Sequence, residues 1–494
     1  MAPTIADVVV IGGGPAGATA ARLLADWGHG VVLITRPAAR RAMAESLPPS
    51  CAKLFERVGI RGAIDAAGFI RSTGNTVQWG SGPERVEHFG DGMLGYQVSR
   101  DAFDELLLVH AQAAGALIRR DATARDVTLG EAGAPSTVNF DADGEPRSVI
   151  ARWVLDCSGR AGLIGARRWR REEPGSRTLA LVSAWERTDG WPMSDESQTL
   201  VESYEDGWAW SVPVTRQRRY LTVMVDPSLT TVRGGEQLAP IYLAELTRTT
   251  ALRRLADGAA MIEQPWARDA SAYSASQTGE PGVLLVGDAA SFVDPLSSFG
   301  VKKAMASAWL AAVVTHTCLR TPALTAPALA LYESRERSMY EQLCRAAAEL
   351  SREAARAHPS EFWRDRAERE DDDRDAEPDI AALRADASVL AALDELRRRE
   401  ALHLRPGPDV SRVSRPTVRG HQVVLLEHLV APRFQEGVRF LRGIDLVVLL
   451  DLAGAYEQVP DLYDAYNRAA PPAELPDFLG ALSVLLGTRM LVFA

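Results

Sequence analysis

The sequence predicts an α/β protein: a Rossmann-like domain with a βαβ dinucleotide motif, an antiparallel-sheet substrate domain, and a helical C-terminal extension ending in a small module. Three observations carry this. The chain opens on a βαβ unit with glycines between strand and helix, its middle alternates as antiparallel strands do, and its last part reads as helices followed by short strands and helices. The expected divisions are 1–177 and 270–345 for the two parts of the nucleotide domain and 178–269 for the sheet domain. A helical extension and linker over 346–418 and a terminal module over 419–494 complete the chain.

The βαβ unit comes first. Val8 to Ile11 is a β-branched run suited to a buried parallel strand, an apolar helix runs to about Trp27, and Val31 to Ile34 is a second strand. Gly12, Gly14 and Gly17 lie between strand and helix in GxGxxG spacing, with Ala16 inside it. The first glycine permits the tight turn, the second lets the backbone approach a pyrophosphate, and the third lets helix and strand pack closely. The helix N-terminus then offers free N–H groups to phosphate oxygens. The adenosine ribose usually meets an acid at the end of the second strand, but Thr35, followed by Arg36, stands there, and a hydroxyl bonds ribose less strongly than a carboxylate.

At 494 residues the chain suits two to four domains. A net charge of −10 argues against nucleic acid as a general partner, because phosphate neutralisation needs a basic surface. No apolar run is long enough to span a membrane, and the first apolar stretch is strand one rather than a signal segment. Four dispersed cysteines form neither a disulfide framework nor a metal-ligand spacing, which fits a reducing cytoplasm and no metal.

Further along, Glu45-Ser46-Leu47-Pro48 reads as a turn, followed by a helix-like segment to Val58-Gly59. Arg71 to Gly80 reads as a turn entering a strand, and a helix starts at Val98–Leu107 with Ser99 as candidate N-cap. A hairpin spans 123–150, turning at Asp141 to Pro146, and Trp153 to Cys157 is a buried strand. Residues 178–261 alternate as strands, with Trp208-Ala209-Trp210-Ser211-Val212-Pro213 at their centre. The apolar strand Gly282 to Gly287 runs into Asp288, the Asp294-Pro295 turn and a small-residue helix from Val301. A second helix covers roughly 328–357, the charged run 364–375 reads as solvated, and Pro406, Pro408 and Pro416 mark a boundary.

Four motifs thus stand in one order: GxGxxG at 12–17, an acidic-Ser-Leu-Pro stretch at 45–48, WxWxxP at 208–213 and Gly-Asp…Asp-Pro at 287–295. Together they resemble the flavin-dependent halogenase and monooxygenase superfamily, with the FAD fold of the hydroxybenzoate hydroxylases, over roughly residues 5–345. The resemblance implies FAD as cofactor. Gly287 and Asp288 would close on the ribityl chain, while Pro295 and the helix N-terminus at Gly300-Val301 would face the flavin pyrimidine. Arg100 matches a basic residue that contacts FAD, with an ion pair to Asp101 or Asp104 as the plainer reading. Asp156 to Arg160, including Gly159, resembles a family turn near the nucleotide.

The family's reduced flavin meets O2 and forms a C4a-hydroperoxide, which a hydroxylase passes to its substrate and a halogenase diverts through halide and a lysine. That lysine follows the Glu-Ser-Leu-Pro stretch in a K-x-G-like context. The matching residues here are Arg71-Ser72-Thr73-Gly74-Asn75-Thr76, with no lysine between Lys53 and Lys302. An arginine is no equivalent, since its proton is held too tightly. The halide-site turn also departs, reading Ser297-Ser298-Phe299-Gly300. The expectation is therefore a monooxygenase hydroxylating an electron-rich aromatic. Flavin-dependent halogenation is the alternative, and an FAD dehydrogenase or reductase without oxygen insertion and a catalytically idle FAD-binding partner follow. Candidate catalytic residues are Glu45, Trp208, Trp210, Ser297 and Ser298. The tryptophans would line a wall between flavin and substrate or simply fill a sheet core, and Glu45 would be a base or a buried capping carboxylate.

No NAD(P)H domain is readable, so a separate flavin reductase is the expected electron source. The rhythm of strands and helices after Gly420 resembles the small winged-helix domains that bind leader peptides, too acidic here for DNA. That resemblance implies an aromatic substrate borne on a peptide or protein, as in the peptide-tryptophan hydroxylases, in place of a free small aromatic. The plain alternative is a lid that binds nothing.

Overall fold

The computed structural model describes every residue except 1–3, 38–40, 42, 173–176, 231–237, 298, 369–382 and 384, and describes the main chain alone at 132 and 297. The chain forms two units, 1–371 and 372–494.

The first unit is built on a mixed sheet whose spine runs Val283–Leu285, Glu145–Asp156, Thr4–Ile11, Val31–Ile34, Leu117–Arg119, each strand parallel to the next. Val8, Val9 and Val10 have no exposed surface, as a strand covered on both faces requires. The hairpin predicted over 123–150 is present, but its second arm does not stop at 150. It continues through Trp153 to Asp156, because no turn residue interrupts the alternation, so hairpin arm and parallel strand are one element. Helix Gly300–Arg320 packs beside helix Pro15–Asp26 and against helix Thr325–Ala357.

The second sheet joins Leu179–Glu186, Arg218–Val225, Gly207–Pro213 and Thr199–Tyr204, and extends through Gly74–Gln78 to Arg85–His88. The stretch expected to be strands throughout contains two helices, Leu238–Arg248 and Ala251–Ala256. The second is capped by Glu202, whose carboxylate accepts from the N–H groups of Thr250, Ala251 and Leu252 at 2.6–3.0 Å. A cap some fifty positions away leaves no local start signal. These helices bury Tyr242, Leu246, Leu252 and Leu255 on one face of the sheet, with Leu181, Leu221 and Val223. The other face carries Trp208, Trp210 and Val212, and packs against Ala44, Phe292, Leu296 and Trp363.

Two local expectations change. Glu45-Ser46-Leu47 is not a turn: Ala44–Leu47 is a strand antiparallel to Gly95–Ser99, with Glu45 opposite Val98. Ser99 stands at the N-cap of helix Arg100–Ala113 but caps nothing with its side chain, since its hydroxyl donates to Asp101.

The second unit has a three-stranded sheet, Ser411–Arg419, Gln422–Ala431 and Phe434–Val438, and helices Leu446–Ala453, Val459–Ala469 and Leu475–Gly487. Leu429, Phe434, Leu449, Tyr466, Phe478 and Leu482 fill its core. Asp445 caps the first of these helices through the N–H groups of Val447 and Val448 and pairs with Arg439 at 2.7 Å. Pro416, expected in a linker, lies inside Ser411–Arg419. That strand is at the sheet edge, where a residue without an N–H is tolerated. Of the charged run 364–375, residues 364–367 end helix Glu361–Ala367 and 369–375 lie outside the described residues. Among the described residues no helix is long and apolar enough to cross a membrane.

Candidate functional site

In an open parallel sheet the ligand crevice lies beyond the carboxyl ends of the strands. Ile11, Asp156 and Leu285 end adjacent strands in register, with Ile34 alongside, so the segments that follow all emerge at one edge. These segments are Gly12–Gly17, Thr35-Arg36, Cys157–Gly159 and Gly287-Asp288.

The glycines differ in what they allow. A Cβ on Gly12 (φ +110°) would lie 2.3 Å from the Cys157 carbonyl oxygen, and one on Gly17 would lie 1.8 Å from the Gly12 carbonyl oxygen. Both therefore serve close packing of backbone on backbone. A Cβ on Gly14 would meet nothing nearer than 3.9 Å, where the Arg100 guanidinium lies. Gly14 is thus open on its outer side, and it N-caps helix Pro15–Asp26 with no side chain bonded to that helix end. Thr35 stands directly across from Gly13, its hydroxyl bonded to the Arg36 carbonyl at 3.3 Å, while Arg36 is exposed.

Asp156 is fully buried. One oxygen accepts from the Ser158 N–H and hydroxyl and the other from the N–H groups of Ile164 and Gly165, at 2.6–3.2 Å. Its carboxylate shapes the turn at Gly159 (φ +65°) from within. Gly287 (φ +64°) packs so closely on Ala16 and on Ala304 of helix Gly300–Arg320 that a Cβ there would approach both to 3.3 Å. This contact draws the second half of the motif set onto the first. Val301 is buried at the start of that long helix, with Gly300 exposed beside it.

An electrostatic cluster lines the cleft. Arg100 forms a two-pronged bond to Asp104 at 3.0 and 3.1 Å, one helical turn on. Glu45 keeps part of its surface open, and its Oε1 lies 3.6 Å from where a Cβ on Gly300 would be. Burial pushes the Glu45 carboxyl up; Arg100 opposes this, and Asp288 and Asp104 reinforce it. Burial likewise raises Asp104 against the pull of Arg100. Burial disfavours the charge on Arg100, yet the surrounding carboxylates hold its pKa above the usual arginine value. Arg100 is thus ion-paired to Asp104, the plainer of the two expectations, and its guanidinium lies 3.9 Å from where a Cβ on Gly14 would be.

Trp208 and Trp210 stack at 4.7 Å on the sheet face that meets Phe292 and Leu296, which flank the Asp294-Pro295 turn. Trp208 is 2% exposed, and its indole N–H makes no hydrogen bond. Pro295 opens a short 3-10 turn through Ser297. The side chain of Ser297 and all of Ser298 lie outside the described residues.

At the position where a lysine was sought, strand alternation separates Arg71 from Ser72. Arg71 turns to Asp65 at 2.6 Å and stacks over Tyr96, whose hydroxyl also donates to Asp65. Ser72 points inward, 1% exposed, and bonds the Gly74 carbonyl. Beyond it a hydrogen-bonded network joins Thr76, Gln198 and Thr73 and ends on the Asp195 carboxylate, which accepts from the Thr73 hydroxyl at 2.6 Å, and Gln97 bonds Thr199. Sequence reasoning did not foresee this network, whose members come together from strands far apart in the chain. It also passed over Lys303, because helix Gly300–Arg320 is buried at most of its positions and no periodic face marks this one.

An uncapped helix N-terminus, an outward-open Gly14 and a second turn packed on Ala16 fit an extended dinucleotide. A family model described as FAD binding domain matches residues 5–347. The tryptophan 2-halogenase of Chondromyces crocatus is 32% identical over 67% of this chain, and the chain spans 65% of that protein's length. Among solved structures, the flavin-dependent halogenase CmlS matches with a TM-score of 0.76 at 23% identity, covering 99% of this chain and 96% of its own, a likeness of fold. The peptidyl tryptophan dihydroxylase QhpG matches with a TM-score of 0.67 at 25% identity, covering 93% and 95%. The chain belongs to the FAD-binding-domain family: it is a halogenase-like flavoprotein, homologous to the flavin-dependent halogenases, and its cofactor is FAD.

Proposed function

We propose that the chain is an FAD-dependent oxidoreductase that hydroxylates an electron-rich aromatic, indole or phenol in type. When bound and reduced by a separate flavin reductase, FAD supplies the activation of O2. The glycine loop and helix N-terminus at Ala16-Gly17 would hold the pyrophosphate, Thr35 the ribose, Gly287-Asp288 the ribityl chain, and the start of helix Gly300–Arg320 the pyrimidine. Glu45, its carboxyl raised beside Gly300, can hold a proton where the substrate meets the cofactor. Trp208 and Trp210 form the apolar wall that excludes water.

The observation that carries hydroxylation over halogenation is the hydroxyl side chain at Ser72, with the Gln198–Thr73–Asp195 network beyond it, where a halogenase would present an amine. Halogenation is the second reading. The sequence relatives, halogenases by name, favour it over hydroxylation, and Lys302 is an amine at the start of the long helix, 3.0 Å from the Ser50 hydroxyl. The second unit joins a three-stranded sheet to three helices, in keeping with a winged-helix-like module, and QhpG's action on a peptidyl tryptophan supports a peptide-borne substrate. The absence of a membrane-crossing helix among the described residues is in keeping with a cytoplasmic setting.

The test supplies the protein with FAD, NADH, a flavin reductase, isotopically heavy O2 and excess bromide, and offers indole, phenol and tryptophan-containing peptides. Mass spectrometry is expected to find heavy oxygen in the aromatic product and no bromine. A brominated product establishes the second reading instead, and steady reductase turnover with neither product removes both.

A further inference from the structure

We propose that Lys303 is a positioning residue for the flavin half of the cofactor: its buried ammonium holds the turn from Gly287 to Ser291 in the shape on which Asp288 stands. The residue is 4% exposed. Its Nζ donates to the main-chain carbonyls of Ser291 and, at 3.3 Å, Gly287, and lies 3.7 Å from the Asp288 carboxylate.

This turn has an unusual share of side-chain support. Three of its main-chain carbonyls accept from side chains, Asp288 from the Tyr273 hydroxyl at 2.5 Å and Gly287 and Ser291 from Lys303, and the Leu285 carbonyl at the end of the preceding strand accepts from the Tyr332 hydroxyl at 2.7 Å. The Gly287 N–H donates to the Ser307 hydroxyl at 2.9 Å, and Ser307 lies one helical turn beyond Lys303 and 3.2 Å from the Tyr332 hydroxyl. The main chain supplies part of what these carbonyls need, since Gly287 also accepts from the Ala290 N–H at 3.0 Å and Ser291 begins the short strand Ser291–Phe292 paired with Tyr273–Ala275, and side chains supply the rest. Among these donors Lys303 alone grips both ends of the Gly287–Ser291 segment.

Burying an ammonium is costly unless it is paired and hydrogen-bonded, so an apolar residue would be the cheaper filler in a helix of small side chains. Glu336, 4% exposed, is a further buried carboxyl, on helix Thr325–Ala357, within electrostatic reach of Lys303. Burial pushes its carboxyl up to about 7, while Lys303 and the Ser307 hydroxyl pull it back. Among the described residues the Lys303 ammonium bonds the Gly287–Ser291 turn and neither Gly12–Gly17 nor Thr35, and this difference provides the discriminating measurement.

Apoprotein of the full chain carrying Lys303→Met is titrated with FAD and, separately, with ADP, which fills only the adenosine half. The expected result is a folded apoprotein by circular dichroism, an FAD dissociation constant raised roughly fivefold or more, and an ADP dissociation constant changed by less than about twofold. A smaller effect on FAD, or a parallel loss of FAD and ADP, overturns the proposal. Should the single variant not fold, Lys303→Met with Glu336→Met removes cation and carboxyl together and is read by the same criteria. Failure of both variants to fold assigns Lys303 a structural role and also overturns it. These titrations read binding alone, so a wrong assignment of the reaction leaves their outcome unchanged.

Discussion

At the carboxyl edge of the parallel sheet the chain places mostly main chain: Gly12, Gly14, Gly17 and Gly287 matter for the Cβ they lack. Elsewhere in the same unit it places side chains: the Trp208–Trp210 stack on the second sheet, Ser72 on strand Ile70–Ser72 of a separate three-stranded sheet, and Thr73 and Gln198 beside the strand ends. The first region can be shared across many flavoproteins because peptide backbone meets phosphate and ribityl in all of them. The second can change its chemistry by single substitutions, which is why relatives with one scaffold carry out different reactions.

The sharpest way to break this comparison lies within the glycine loop. In Gly17→Ala the new Cβ would lie 1.8 Å from the Gly12 carbonyl oxygen, so helix and strand must separate. We expect loss of FAD together with loss of folded protein, read as the flavin-to-protein absorbance ratio and the yield of soluble chain. Gly14→Ala meets no protein atom within 3.9 Å, so the apoprotein should melt as the wild type does. FAD affinity should nevertheless fall by roughly tenfold to a hundredfold, because the added methyl occupies the approach to the pyrophosphate. If Gly14→Ala also melts early, the loop is a packing device before it is a cradle.

The same division explains what the sequence disclosed. Strand Val31–Ile34 and the end of helix Pro15–Asp26 were legible because local patterns fix them: a β-branched run, a glycine signature, a 3.6-residue period. Long-range causes were not. Helix Ala251–Ala256 owes its start to Glu202, Pro416 is tolerated because its strand is at an edge, and Glu45 lies on a strand because Val98 pairs with it. At the site, the order of Gly12–Gly17, Glu45, Trp208 and Gly287-Asp288 was readable. The choice between Arg71 and Ser72 as the inward residue depends on strand phase, and Lys303 hid among the small residues of a helix whose buried face only the packing defines.

Ser72→Lys would set an amine where the relatives' chemistry calls for one, at the cost of burying a charge at a position 1% exposed. Stability should drop by about 2–4 kcal/mol, measured by denaturant unfolding of the holoprotein. If hydroxylation is correct for the parent, bromination of an indole probe by the variant alone would locate the divergence in this one side chain. No bromination from a folded, flavin-loaded variant would place it in the wider network of Thr73, Thr76 and Gln198.

The smallest effect tests where the two regions' rules meet. Thr35 is the side chain at the adenosine end of the cofactor edge asked to recognise by hydrogen bonding, and its neutral hydroxyl lies beside Gly13. A carboxylate there would accept from ribose hydroxyls in a charge-assisted bond about twice as strong as a neutral one. Thr35→Asp should therefore tighten FAD by roughly threefold to tenfold, and ADP by the same factor, because both present the same ribose. This is the converse of the pattern expected for Lys303→Met, which spares ADP. If Thr35→Asp tightens neither ligand, the ribose is held by main chain alone, and the cofactor edge obeys the backbone rule without exception.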